Sequence, residues 1–130
     1  MKLSALLKDL QKDFEIKEPF AEMGPEVFMI PVDEGVRVEL AQTGQGITLS
    51  ATVIDMPLGK EDELYAHLLS ANLFGQGTRG ALLALSDDAR RLTLSREIDY
   101  DVNFKEFKDI FEDFILAIDF WRDEVLNYQG

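Results

Sequence analysis

Leu3, Leu6, Leu7, Leu10 and Phe14 recur at three- and four-residue steps, with Lys8, Asp9, Lys12 and Asp13 between them. That spacing predicts an amphipathic helix over residues 2–14. Pro19 ends the helix-compatible stretch, and the residues from Glu18 to Pro25 read as an acidic linker. Val27 to Val32 then predicts a strand that is apolar on both faces, with Pro31 favouring an edge or a bulge. Past the turn Asp33-Glu34-Gly35, Val36, Val38 and Leu40 alternate with Arg37, Glu39 and Ala41. A second turn, Thr43 to Gly46, leads to Ile47, Leu49, Ala51 and Val53, which alternate with Thr48, Ser50 and Thr52. Period-two patterning across short turns predicts an antiparallel meander of three strands.

The next stretch, Leu64 to Ile98, organises the rest. A helix over residues 60–74 has acids in its first turn and places Leu64, Leu68 and Ala71 on one stripe, with Tyr65, Leu69 and Leu73 beside them. That is more apolar surface than one side of a small sheet requires, so this helix is expected to have a second neighbour. Gly75 and Gly77 stop it. Two short strands, Ala81 to Leu85 and Arg91 to Arg96, form a hairpin. The last helix starts near Asn103, an N-cap residue with Glu106 three positions on, and runs to about Asn127. Phe104, Phe107, Phe111, Phe114, Ile118, Trp121 and Val125 make its continuous stripe, which reads as core. The order helix, three strands, helix, two strands, helix predicts an α+β fold, a twisted antiparallel sheet with helices packed on it. The 130 residues read as one domain, residues 1–130.

Charge narrows the partners. A formal net charge of -12 opposes nucleic-acid binding, which needs clustered cations, and it disfavours anionic membrane surfaces. It is compatible both with solubility through self-repulsion and with steering of a cationic protein partner. Mean hydropathy is -0.08, and no apolar run approaches the ~20 residues of a membrane span. With no cysteine, thiolate catalysis, disulfides and cysteine-ligated metals are excluded.

Chemistry-bearing motifs are weak. Gly75-Gln76-Gly77-Thr78-Arg79-Gly80 matches a dinucleotide fingerprint in letters, with Glu97 and Asp99 about where a ribose-binding acid would stand. Here, however, the glycines leave a helix and enter a strand, the reverse of what phosphate binding at a helix N-terminus needs. Asp99, Asp101 and Asn103 begin like a calcium loop, but Phe104 and Ile110 occupy the positions of its glycine and glutamate. His67, the single histidine, lies inside the central helix with Ser70 on the same helix, which offers no nucleophile turn and no zinc site. No catalytic residue, metal or cofactor is expected. What stands out instead is apolar surface, on the first helix and on the strand from Val27 to Val32, which points to protein interaction.

The run LLSANLFGQGT, the strand GALLALS and the strand RRLTLSREI resemble the type III secretion chaperones of the CesT (Tir chaperone) family. The close match covers about a quarter of the chain. The resemblance implies a homodimeric, non-enzymatic chaperone of the bacterial cytoplasm. It would bind the N-terminal chaperone-binding segment of one or a few effector proteins and keep them soluble and secretion-competent. It also implies a dimer contact on the central helix and the strand after it, at Leu64, Leu68, Leu69, Ala71, Asn72, Leu73, Leu82, Leu83 and Leu85. Use of the first helix and first sheet by clients points to Leu3, Leu6, Leu7, Leu10, Val27, Met29, Val38 and Leu40. A heterodimer with a sister chaperone is a variant. A regulatory module of the same fold, like the YbjN domains, is the alternative, and a small acidic enzyme or ligand binder would need a pocket with perturbed carboxylates.

Overall fold

The apolar positions of both periodicities meet in a single layer. In the computed structural model, which describes residues 2–16, 20–33, 35–44, 46–56, 61–74, 81–86, 88 and 90–129, the order is α1 (Leu3–Asp13), β1 (Ala21–Gly24), β2 (Val27–Asp33), β3 (Val36–Thr43), β4 (Gly46–Asp55), α2 (Glu61–Phe74), β5 (Leu82–Leu85), β6 (Arg91–Ile98) and α3 (Phe104–Gln129). The α+β architecture is the expected one, with one strand more than the alternation predicts. β1 lies in the stretch that reads as a linker. Ala21, Glu22 and Met23 are all exposed, so β1 lacks the buried alternation that marks a strand. Backbone pairing with β2 holds it, through Ala21↔Met29 and Glu22↔Phe28.

Among the described residues the strands form one antiparallel sheet in the order β1-β2-β3-β4-β6-β5. The hairpin therefore joins the meander through β6, with Ile47↔Ile98 and Ala51↔Leu94 in register. Gly46 is required at this seam, since a Cβ there would run into the carbonyl oxygen of Ile98. On the covered face Phe28, Ile30, Val38, Leu40, Leu49, Leu92 and Leu94 are buried, and Phe107, Phe111, Phe114 and Trp121 of α3 are buried against the same cluster.

α1 starts after Lys2, which caps nothing with its side chain. Side chains from the sheet satisfy its first donors instead. Leu3 N donates to Gln42 Oε1 at 2.9 Å, and Ser4 donates through N and Oγ to the two carboxylate oxygens of Glu26 at 3.1 and 3.0 Å. Glu26 holds a left-handed backbone, φ +54°, in the turn between β1 and β2. It places a negative charge at the positive end of α1. At α3, Asn103 Oδ1 accepts from Glu106 N at 2.9 Å, the expected N-cap.

Candidate interaction surfaces

Strand alternation leaves the uncovered face of the sheet with a composition of its own. Register aligns Leu82, Ser95, Ser50, Glu39, Met29 and Ala21 in one row across all the strands from β5 to β1. The neighbouring row contains Ala84, Thr93 and Thr52. A shallow concavity of about 350 Å³ lies here, lined by Met29, Gly35, Arg37, Glu39, Ser50, Ala51, Thr52 and Thr93. Threonine and serine keep this face wet while suiting the pleated backbone. The apolar open surface expected from the strand Val27 to Val32 is thus reduced to half-buried Val27 and Met29 and to exposed Pro31.

Among the described residues both margins of the sheet are open, with β1 and β5 each having one strand neighbour. Each margin also carries an exposed apolar side chain, Met23 at 66% on β1 and Leu82 at 56% on β5. Edge strands of this kind are templates for pairing with another chain.

The predicted interaction residues divide accordingly. Leu64 and Leu68 are buried inside the chain, as is Leu83, while Leu85 is half-buried and Leu82 is exposed. The side chains of Leu69, Ala71, Asn72 and Leu73 lie outside the described residues, as does the glycine run 75–80. Leu3, Leu6, Leu7 and Leu10 are buried at 3% exposure or less, and so are Val38 and Leu40. The reading of those six as open client surface is corrected: their helical and period-two stripes face the common core. Of the expected client contacts, Val27 and Met29 reach the uncovered face. The β1 margin escaped sequence reasoning because its evidence is backbone pairing, which no side-chain pattern records.

Electrostatics tie some elements together. His67 Nε2 lies 3.2 Å from Glu124 Oε2, and its ring is 5.2 Å from that of Trp121, so α2 packs on the second half of α3. Lys108 bridges α3 to Asp13 of α1; that hydrogen bond, first among the causes, holds its ammonium above the usual lysine range. In the β5–β6 turn, Ser86 Oγ donates to Asp88 Oδ1 at 2.6 Å and Arg90 N donates at 3.1 Å. The Ser86 bond, then the Arg90 one, holds the Asp88 carboxyl below its ordinary value. Among the described residues no three acidic or histidine side chains are grouped as a metal would need, and no helix is long and apolar enough to cross a membrane.

The model of the Tir chaperone protein (CesT) family matches residues 5–122. The chain belongs to this family. Its match runs from α1 through most of α3 and so spans both sheet margins. Solved structures share the fold at low identity. The chain is similar to a chain of the ExsC–ExsE complex (18% identity, TM-score 0.75, 95% of this chain and 93% of that one). It is similar to one from the complex of the Yersinia pestis type III secretion chaperone SycH with a stable fragment of YscM2 (17%, 0.69, 95% and 98%). YbjN from E. coli matches at 18%, 0.67, 96% and 92%. No curated protein is similar enough in sequence to be matched. Since YbjN shares the fold, the fold by itself does not separate the two readings, and the family match is what favours the chaperone.

Proposed function

We propose that this member of the CesT family is a type III secretion chaperone of the bacterial cytoplasm, a single-domain homodimer that binds the N-terminal segment of effector proteins and catalyses nothing. The observation that carries the reading is the family match over residues 5–122. Related structures supply the precedent: one is a HopA1–SchA chaperone–effector complex and another the heterodimeric ExoU–SpcU complex of Pseudomonas aeruginosa.

The physics of the surfaces fits this work. An extended client segment added at the β1 margin gains backbone hydrogen bonds that demand little of its sequence, while Met23, Met29 and Val27 supply apolar contacts with a preference. Ordering a disordered segment costs free energy, which keeps the complex reversible. The charge of -12 steers a basic client and discourages association of complexes with one another. The dimer contact is assigned to α2 and β5, with Leu82 as its accessible apolar residue; the family resemblance adds Leu69, Ala71, Asn72 and Leu73 to it.

The test is co-expression of the chain with N-terminal segments of effectors, followed by size-exclusion chromatography with light scattering. The free protein is expected near twice 14.7 kDa, and the complex at that mass plus one client segment. A stable monomer that captures no effector segment sinks the proposal and favours a regulatory module. A complex with a sister chain of the same fold instead identifies the heterodimer.

A further inference from the structure

On α3, the stripe opposite the buried phenylalanines is not an ordinary solvated face. Asp109, Glu112, Leu116, Asp119, Phe120 and Asp123 follow one another at helical spacing, and all six are exposed. Leu116 is 49% exposed and Phe120 45%, on a helix whose inner stripe already fills the core. The Phe120 ring stands edge-on to buried Trp121, with centroids 5.3 Å apart and planes at 85°. It is thus held in place without being covered. The acids outnumber the cations around the pair: Lys105 stands on the same stripe one turn before Asp109, and Arg122 lies three residues beyond Asp119. Asp119 and Asp123, four residues apart, repel one another along the helix.

We propose that this stripe docks a basic amphipathic helix of another protein, which seats two apolar side chains on Leu116 and Phe120 and sets lysines or arginines over Glu112, Asp119 and Asp123. A helix is the matching shape, because its own residues at i and i+4 repeat at the ~6 Å spacing of the pair. A second copy of the stripe brings four carboxylates against four carboxylates, and an anionic bilayer repels them in the same way. The stripe points away from the sheet, so a segment bound on the uncovered sheet face or the β1 margin leaves it free. The proposal therefore stands independently of the client assignment.

The probe is a stapled synthetic helix with two leucines four residues apart and lysines on the flanking turns. It is compared with a stapled peptide of the same composition in scrambled order by fluorescence anisotropy. The patterned peptide is expected to bind more tightly than the scrambled one and to weaken as salt rises from about 50 to about 300 mM. Leu116→Ser/Phe120→Ser is expected to weaken it by about tenfold or more. Asp119→Lys is expected to weaken it as well, whereas Glu39→Lys, the same charge change on the sheet face, leaves it unchanged. Thermal melts confirm that each variant folds. No binding to the wild type, equal binding of the scrambled peptide, an equal loss in Glu39→Lys, or indifference to the double serine variant each overturns the proposal. A change of oligomeric mass in the double variant overturns it in favour of a self-contact.

Discussion

Leu82 and Leu83 are neighbours on β5 with opposite environments, 56% against 3% exposed, so they separate interface from fold. Fully burying a leucine is worth about 1.5–3 kcal/mol. With 56% of Leu82 open, its burial in a dimer contributes roughly half of that, about 1–1.5 kcal/mol per protomer. A two-fold interface uses the position twice, so Leu82→Asp is expected to cost about 2–3 kcal/mol of dimer stability before any penalty for burying the carboxylate. At about 1.4 kcal/mol per decade this weakens the dimer roughly 30–150-fold. Monomer stability is expected to change little, because that side chain already faces water. Leu83→Asp places an unpaired carboxylate in the core and is expected to abolish folding. Sedimentation velocity over a dilution series measures the first effect, and circular dichroism melts measure both. A dimer constant for Leu82→Asp within twofold of wild type refutes the assignment of β5 to the interface. Leu68→Asp does not serve this purpose, since Leu68 is buried in its own chain and its loss unfolds the protein regardless of dimerisation.

Other expectations follow from single contacts. Glu26→Ala removes the carboxylate that receives both Ser4 donors, and a cost of about 1–2 kcal/mol is expected as a melting shift of several degrees, with amide exchange rising first in α1. Gly46→Ala drives a methyl group into the Ile98 carbonyl and is expected to cost about 1–3 kcal/mol by separating β4 from β6; a melt equal to wild type would contradict the register given for that seam. Trp121→Phe is expected to be tolerated better than Trp121→Ala, for which loss of the largest buried side chain costs about 3–5 kcal/mol in chemical denaturation. Asp88 titrates below the ordinary aspartate value in the folded chain, so its contribution to the β5–β6 turn is present above the unfolded pKa and lost as pH falls through the depressed one. Carbon-detected NMR titration reads this directly, and Ser86→Ala is expected to move the midpoint upward.

Much was legible in the chain because helical and strand periods leave different marks. The stripe of α1, the alternation Val36–Val38–Leu40 and the phenylalanine stripe of α3 each set which face meets the core, and the Asn103 cap set where α3 begins. The resemblance carried by LLSANLFGQGT and the hairpin strands led to the family that the match over residues 5–122 establishes. Periodicity says that a residue is apolar on one face, but it does not say whether that face meets the protein's own interior or another molecule. Leu3, Leu6, Leu7 and Leu10 were indistinguishable in sequence from a docking stripe, and only the sheet beneath them decided that they are core. β1 was invisible for the complementary reason, because a strand held by main-chain pairing with exposed side chains writes nothing into the hydrophobic pattern. Three-dimensional placement likewise brought Glu26 and Gln42 to the start of α1 and aligned Leu82 with Met29 across the whole sheet. The local periods of the chain determined the elements and their inner faces; contacts between residues far apart in sequence decided which faces and edges remained open to a partner.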